Sequence, residues 1–187
     1  MEEDRRLVER TLQGDEKAFE MLIRKYQQPL WNYIGRMVQD RELALDLTQD
    51  ILIKTYVSLS SYQPQYRFRT WLFKIASNHI IDHWRKKKIK ALSSDRSPWE
   101  ADDTPSFQVS SGEAPVGTQY EIAELKRQIE QALERVPVQL RELFLWRHVN
   151  GLSYQEIAEI KGLPVGTVKN RVFQGKELLR RLLEKKS

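Results

Sequence analysis

The stretch RFRTWLFKIASNHIIDHWRKKKIK, residues 67–90, decides the fold of the first half of the chain. Its apolar residues recur at intervals of three and four, as Leu72, Ile75 and Ala76 do, which predicts one long helix with a buried face. A second apolar stripe contains Phe73, Ile80 and Trp84. The stretch ends in a basic run without an acid. Aromatic rings beside cations suit exposed nucleic-acid bases and phosphates, but a core helix with a solvated basic end explains this stretch equally well.

The net charge of the 187-residue chain is +5, and this charge is unevenly distributed. Residues 1–92 carry a net charge of +5, residues 93–119 of −4, and residues 120–187 of +4. Two basic blocks joined by an acidic segment predict two modules that bind polyanions. The absence of cysteine excludes disulfides and thiol nucleophiles. Because no apolar run approaches the roughly 20 residues of a membrane span and no signal core is visible, we expect a cytoplasmic protein without membrane insertion.

Residues 1–92 have helical periodicity throughout and predict a compact all-α domain. Three helices are expected before the long one, and their predicted N-terminal caps are Asp4, Asp15 and Asp40. Pro29 predicts a kink or a break in the second of these helices. The polar run SLSSYQPQY, residues 58–66, predicts a loop directly before the long helix.

Residues 93–117 differ in composition from the rest of the chain. They contain six serines, three prolines and two glycines, and they have too few apolar side chains to fold alone, so we expect a flexible acidic linker. A second helical domain follows at residues 118–187. Its first helix is expected to start with a capping box of Thr118 and Glu121. An apolar stripe along this helix consists of Ile122, Leu125, Ile129 and Leu133.

The second domain contains the segment SYQEIAEIKGLPVGTVKNRVFQGK, residues 153–176. Ser153 and Glu156 form a capping box, Gly162 ends a first short helix, and Pro164 starts a second one. Two helices joined by a glycine-containing turn, the second rich in Lys, Asn, Arg and Gln, predict a helix-turn-helix motif. The buried side of the second helix is expected to contain Val165, Val168, Val172 and Phe173.

The residues of this motif suit the major groove of DNA. Arg or Lys can donate to guanine, and Asn or Gln can bond adenine at two points. The predicted DNA-binding residues are Lys161, Thr167, Lys169, Asn170, Arg171, Gln174 and Lys176. Lys161 and Lys176 flank the others and are assigned to phosphates. An ordinary helical hairpin with a solvated basic side is the alternative that this motif alone leaves open.

Four segments, in order, resemble the extracytoplasmic function (group IV) sigma factors, the minimal two-domain form of the sigma-70 family. They are GDEKAFEMLIRKY (14–26), ALDLTQDILIKTY (44–56), FRTWLFKIASNHIIDHWRKKK (68–88) and LSYQEIAEIKGLPVGTVKNRVFQGKELL (152–179). In that family they correspond to the opening region, the polymerase-binding helix, the promoter-melting helix and the domain that reads the −35 element. The resemblance implies an all-α fold with a region 2-like domain and a region 4-like domain. It also implies a bacterial transcription initiation factor with no cofactor and no catalysis of its own.

The resemblance assigns roles to individual residues. Contacts with the clamp helices of the largest subunit of core RNA polymerase are implied for Asp46, Leu47, Gln49 and Asp50. Contacts with the −10 element are implied for Tyr62, Arg67, Phe68, Asn78, Asp82, Arg85, Lys86, Lys87 and Lys88. A base of that element is expected to flip out of the stack into a protein pocket. The implied partners are core polymerase, promoter DNA in duplex and single-stranded form, and an inhibitory anti-sigma factor.

Three alternatives remain in the sequence. We favour helix packing over DNA stacking as the role of Trp71, Phe73 and Trp84. His79 and His83 have the i, i+4 spacing of metal ligands, but Ile80 replaces the glutamate of a zinc-protease motif, so no metal site is predicted. A stand-alone dimeric regulator, or a helical adaptor without a DNA role, would also contain such a hairpin.

Overall fold

The computed structural model describes residues 2–93 and 116–184, and the side chains of residues 2–87 and 121–184. Within these ranges every regular element is helical, so the predicted all-α class is confirmed. The described residues form two compact units, the first containing the long helix and the second containing the helix-turn-helix segment. The predicted linker lies almost entirely outside the described residues.

Four helices contribute to the first unit. They are α1 (Glu2–Leu12), α2 (Glu16–Val38), α3 (Arg41–Val57) and α4 (Phe68–Ser93), with a short 3-10 turn at Leu59–Ser61. Helix α4 is the predicted long helix, and its inward residues Leu72 and Ile80 are each 1% exposed. The core that they join also contains Leu22 and Ile51, which are fully buried. Burial of this apolar face stabilises α4 more than its sequence propensity does.

The predicted cap at Asp4 is wrong, and of the kink or break predicted at Pro29 the break is absent. Asp4 does not cap α1, because the helix starts two residues earlier and Asp4 lies buried in its first turn. Pro29 does not break α2, which continues through it to Val38; the apolar residues that α2 buries on either side outweigh the lost hydrogen bond. Asp15 does cap α2, since its Oδ1 accepts from the N–H of Ala18 at 3.2 Å.

The second unit contains α5 (Val116–Glu134), α6 (Val138–Phe144), α7 (Tyr154–Lys161) and α8 (Val165–Glu184), and α6 continues into a π-helical turn at Leu145–Val149. Helix α8 packs against the other three helices. The core between them contains Leu143, Leu145, Trp146, Ile157 and Val168. Since α5 begins at Val116, Thr118 lies inside this helix and is not the cap that the sequence predicted.

The apolar stripe predicted along α5 is buried only towards its C-terminal end. Leu133 is 3% exposed, whereas Ile122 is 40% and Leu125 is 55% exposed. Phe173, expected on the buried side of α8, is also exposed, while Val172 beside it is buried. Periodicity identifies a face of a helix, but the neighbouring helices decide how much of that face is covered.

Helices α6 and α8 approach each other closely at Gly175. A Cβ added to Gly175 would lie 3.1 Å from the carbonyl oxygen of Leu140. This distance is shorter than ordinary van der Waals contact, so a residue with a side chain would force the helices apart. The contact fixes the middle of α8 and thereby sets the orientation of its front turns.

Candidate nucleic-acid interface

Helices α7 and α8 form the predicted helix-turn-helix. The Oγ of Ser153 accepts from the N–H of Glu156 at 3.1 Å, and the carboxylate of Glu156 accepts from the N–H of Ser153 at 2.8 Å. This reciprocal pair is the predicted capping box. Gly162 ends α7 with a φ of 62°, in the left-handed region that glycine adopts without strain. The chain therefore turns sharply and leaves the front of α8 exposed.

The predicted DNA-binding residues of α8 differ in exposure. Thr167 and Arg171 are half-buried. The exposed ones are Lys169, Asn170, Gln174 and Lys176. Their two amides can donate to and accept from base edges, and their two cations can contact phosphates. The front of α8 therefore has the chemistry of a major-groove reader.

Sequence reasoning missed Phe173 as a member of this face. Its ring is 63% exposed, and it lies one helical turn after Lys169 and next to Gln174. The signal was present in the spacing: Val168 and Val172 are four apart and share a face, and a residue directly after Val172 points about 100° away from it. An exposed ring here can contact the methyl group of a thymine.

Two cations lie near the ring of Tyr154, at the start of α7. The guanidinium of Arg147 is 4.6 Å from the ring centroid, and the Nζ of Lys169 is 5.9 Å from it. Attraction between a cation and the face of an aromatic ring restrains both groups. Tyr154 was not singled out in the sequence, and it orients one of the predicted DNA-binding lysines.

Lys161 does not extend into solvent as the predicted phosphate contact requires. It forms an ion pair with Glu142 and lies 5.0 Å from the ring centroid of Trp146. The side chain of Lys161 is 19% exposed, and that of Glu142 is 6% exposed. Because a buried carboxylate without a counter-charge is costly, we correct the role of Lys161 from a phosphate contact to a structural ion pair.

A cluster of aromatic rings lies at the segment Tyr62 to Phe68, which was predicted to hold the −10 element; residues 62–67 form a loop and Phe68 begins α4. The ring centroid of Phe68 lies 5.4 Å from that of Tyr26 and 5.7 Å from those of Tyr62 and Trp71. Phe68 is 1% exposed, so its predicted contact with a base is corrected to packing beneath the loop.

Phe73 of α4 is equally buried and packs edge-on against Tyr33. Packing is therefore its role, as favoured from the sequence.

The loop itself is closed by Tyr62. Its hydroxyl donates to the carbonyl oxygen of Tyr66 at 2.6 Å. Burial raises the pKa of Tyr62, and the positive charge of Arg5 offsets part of this rise. The hydroxyl is therefore protonated at neutral pH and able to donate. Tyr66 and Arg67 are exposed on the outer side of the loop.

Helix α4 continues this surface with polar and basic side chains. Asn78 is exposed, and the carboxylate of Asp82 lies 3.2 Å from Arg85, which neutralises part of its repulsion towards phosphate. Lys86 and Lys87 are exposed further along the helix. The side chain of Lys88 lies outside the described residues. Trp84 is half-buried, which leaves both of its predicted roles open.

Helix α3 presents the predicted polymerase-binding residues. Asp46, Gln49 and Asp50 are exposed, but Leu47 is 3% exposed and faces the core, so its predicted contact is corrected to packing. Exposed apolar residues that were not predicted accompany the acids; they are Leu45, Ile53, Tyr56 and Val57. An exposed helix face that mixes acids with apolar side chains is typical of a protein–protein interface.

The two histidines of α4 do not form a metal site with a third ligand. The Nε2 of His79 lies 3.6 Å from Asp50. Burial, with the nearby charge of Lys87, lowers the pKa of His83. Among the described side chains, His, Asp and Glu do not gather in groups of three that could hold an ion.

Each helix in residues 2–93 and 116–184 is too short or too polar to traverse a bilayer.

Comparison with known families supports the assignment that these surfaces suggest. Residues 22–89 match the model of Sigma-70 region 2, and residues 126–179 match that of Sigma-70, region 4. The two regions occur in one chain in the same order as the two helical units. This combination defines the class of transcription initiation factors that associate with RNA polymerase.

Similar proteins of known family indicate which group of these initiation factors the chain resembles. The chain is 34% identical to the ECF RNA polymerase sigma-E factor of Haemophilus influenzae, over 94% of this chain and 93% of that protein. It is 31% identical to the RNA polymerase sigma-H factor of Pseudomonas aeruginosa, over 98% and 95% of the two chains. The fold resembles that of the sigma factor RpoE from Bartonella quintana, solved with the anti-sigma factor NepR. That match has a TM-score of 0.75 and 23% identity, covering 90% of this chain and 98% of that one.

The chain belongs to the extracytoplasmic function sigma factors of the sigma-70 family. The resemblance stated from the four sequence segments is confirmed. As a sigma factor, the protein binds core RNA polymerase and DNA and directs promoter-specific initiation of transcription.

Proposed function

We propose that the second unit reads the −35 element of a promoter with the front of α8. The observation that carries this proposal is the exposed group of Lys169, Asn170 and Gln174 in the first half of α8, the helix that begins after the sharp turn at Gly162. Amides and a cation on one exposed helix face suit the base edges of the major groove. Phe173 adds an apolar contact on the same face.

The first unit captures and helps to melt the −10 element. Support for this role comes from the loop 62–67, which rests on buried aromatic rings, and from the exposed cations that follow it on α4. A flipped base needs a preformed recess, and the unstacked strand needs cations along its backbone. Asn78 supplies an amide between these two features. We assign the boundaries of the two DNA-binding parts to residues 1–92 and 118–187.

Helix α3 docks on the clamp helices of the largest polymerase subunit. Asp46 and Asp50 offer charges for a basic partner, and the exposed Ile53 and Val57 offer apolar area that such a contact would bury. Apolar contact supplies affinity, and charge complementarity supplies orientation. Because the polymerase of a bacterium is cytoplasmic, so is this protein. It contributes no catalytic residue to the reaction.

An inhibitory anti-sigma factor is the proposed regulator. The Bartonella sigma factor was solved with such a partner, and we extend this mode of control to the present chain. An anti-sigma factor encoded in the same genome should abolish promoter-specific transcription when it is added before the polymerase.

Run-off transcription with purified core polymerase and a promoter library tests the proposed function. Promoter-specific transcripts should arise only when the polymerase and this protein are both present. A variant with Lys169, Asn170 and Gln174 replaced by Ala should lose them, whereas the control Arg180→Ala with Arg181→Ala, on the far end of α8, should retain them. Absence of specific transcripts at every salt concentration would contradict the proposal. Tight binding of the free protein to one duplex would favour a stand-alone regulator.

A further inference from the structure

Helix α1 carries none of the predicted DNA or polymerase contacts, yet it holds the loop 62–67. The Nη2 of Arg5 donates to the carbonyl oxygen of Pro64 at 2.7 Å, across 59 positions of sequence. Proline has no N–H group, so the carbonyl oxygen is the only backbone atom that it can offer to a partner. Arg5 therefore anchors the loop at its proline.

Helix α1 is itself fixed by a buried carboxylate. Asp4 is 6% exposed, and its two oxygens accept from the hydroxyl of Tyr26 at 2.7 Å and from the ammonium group of Lys25 at 2.6 Å. Charge-assisted hydrogen bonds of this kind are about twice as strong as neutral ones. They define the position of the residue next to Asp4, which is Arg5.

The same tyrosine supports the loop from below. The Tyr26 ring lies 5.4 Å from Phe68, and Phe68 lies 5.7 Å from Tyr62, the first residue of the loop. Asp4 and Tyr26 thus connect both supports: the aromatic rings beneath Tyr62 and the guanidinium at Pro64. Arg5 is also close enough to Tyr62 to influence its pKa.

A loop without such an anchor must be ordered when it binds. Fixing the backbone of one residue costs about 1–2 kcal/mol, and a loop that is already in its binding conformation avoids part of that cost. Within the loop, Tyr66 donates its N–H to the carbonyl of Gln63 at 3.1 Å, and Tyr62 closes on Tyr66. These contacts are internal. The bond at Pro64 joins the loop to α1, and the ring of Tyr62 joins it to Phe68 and Trp71 of α4.

We propose that Arg5 is a positioning residue for recognition of the −10 element. It holds the loop 62–67 in the conformation that receives the flipped base, and it does not touch the DNA. The inference rests on the proposed function of the first unit. It adds α1, through Arg5 and its support Asp4, to the parts of the chain that determine −10 recognition.

Hydrogen–deuterium exchange of the free chain tests the anchor without DNA. Arg5→Ala should increase the exchange of the loop amides of residues 63 and 65–67 at short labelling times, and Arg5→Lys should restore part of the protection. Arg6→Ala is the matched control, because Arg6 is the neighbouring exposed arginine of α1 and its loss changes the charge equally. Equal exchange in the Arg5→Ala and Arg6→Ala chains would overturn the inference.

Binding of DNA by the assembled holoenzyme tests the consequence. The probe is the single-stranded −10 oligonucleotide of a promoter obtained from the run-off library, together with the same oligonucleotide made abasic at the flipped position. Arg5→Ala should weaken binding of the intact probe about fivefold, as expected for one lost hydrogen bond, and should leave binding of the abasic probe nearly unchanged. Arg6→Ala should not reduce the difference between the two probes.

The outcomes separate the inference from the proposed function. An equal loss for both probes would show that Arg5 acts through its charge alone, and the positioning role would be wrong. Wild-type holoenzyme that does not distinguish the two probes would contradict −10 capture by the first unit, and the inference would fall with it. Affinity for a −35 duplex should be the same in all variants, since Arg5 lies in the other unit.

Discussion

Asn170 lies on the exposed front of α8 and can bond a base at two points. Asn170→Ala should remove about 1–3 kcal/mol of discrimination at one base pair of the −35 element, because an amide–adenine pair contributes that amount. Competition binding of holoenzyme to duplexes substituted at single positions measures the effect. The control is Gln139→Ala, which removes an equally exposed amide from α6. Equal weakening on all duplexes would identify Asn170 as a backbone contact.

Lys161 is a structural residue in this molecule, and its replacement should lower stability. Lys161→Met removes a cation that pairs with the buried carboxylate of Glu142, which should reduce the free energy of unfolding by about 2–4 kcal/mol. Urea denaturation followed by circular dichroism measures it. The double variant Lys161→Met, Glu142→Leu should recover most of the loss, since both charges are then absent. A flatter salt dependence of DNA binding with unchanged stability would restore the phosphate contact instead.

At the scale of helices, the approach of α6 and α8 requires a glycine. Gly175→Ala should destabilise the protein by up to about 2 kcal/mol, because overpacking of its Cβ, 3.1 Å from a backbone oxygen of Leu140, exceeds the gain of about 1 kcal/mol in helix propensity. Gly166→Ala is the matched control in the same helix, where a Cβ would meet nothing within 4 Å. That change should stabilise α8 by up to about 1 kcal/mol. Thermal unfolding compares the two, and equal melting temperatures would contradict the close contact.

The attachment of α1 to α2 predicts a dependence of stability on alkaline pH. Burial and the hydrogen bond to Asp4 raise the pKa of Tyr26 above its ordinary value. A raised pKa in the folded state means that the stabilisation is complete below about pH 10, the unfolded value, and is lost as the pH rises above it. Tyr26→Phe should therefore be less stable than wild type at pH 7, and the difference should shrink as the pH rises above about 10.

Denaturation at several pH values checks this prediction. The ion pair of Lys25 with Asp4 remains in Tyr26→Phe, so the comparison isolates the phenol. A difference in stability that stays constant with pH would show that Tyr26 contributes through its ring contacts with Phe68 and not through its hydroxyl.

Helices and turns were predictable here because their signals are local. The capping box of Ser153 and Glu156 and the helix end at Gly162 depend on a few neighbouring residues, and both were predicted correctly. The length of α4 followed from its apolar period. Asp4 was misassigned because a carboxylate near a helix start has the same local signature whether it caps the helix or bonds a distant tyrosine.

The sequence predicted the exposure of some candidate site residues and not of others. Asp46, Gln49 and Asp50 of α3 are exposed, but Leu47 is buried and the exposed Val57 was overlooked. A sequence does not show which apolar residues a neighbouring helix covers. Lys161 was misassigned for a related reason: its partner Glu142 is on another helix. The structure supplies such long-range pairings, and local sequence patterns do not.

For the whole molecule, charge determines how binding depends on salt. Replacing Lys86 and Lys87 together by Gln should lower the slope of log affinity against log salt by about 1.4–1.8, since each phosphate contact contributes about 0.7 on a single strand and 0.9 on a duplex. Holoenzyme binding to a complete promoter at several salt concentrations measures the slope. Lys17→Gln with Arg24→Gln, both exposed on α2, removes the same charge elsewhere. An equal change of slope in this control would indicate that the net charge of the protein, and not contacts of Lys86 and Lys87 with phosphates, determines the salt dependence.

The bond from Arg5 to the carbonyl oxygen of Pro64 has a consequence for the diversity of promoters that such a scaffold can serve. Every amino acid carries a carbonyl oxygen, so the anchor does not depend on the side chains displayed by residues 63–66. Unlike the ring and hydroxyl of Tyr62, which support and close the loop, those side chains can be exchanged while the loop keeps its place. New base preferences can arise in this segment by substitution, or be transplanted from another family member, without rebuilding the helices beneath.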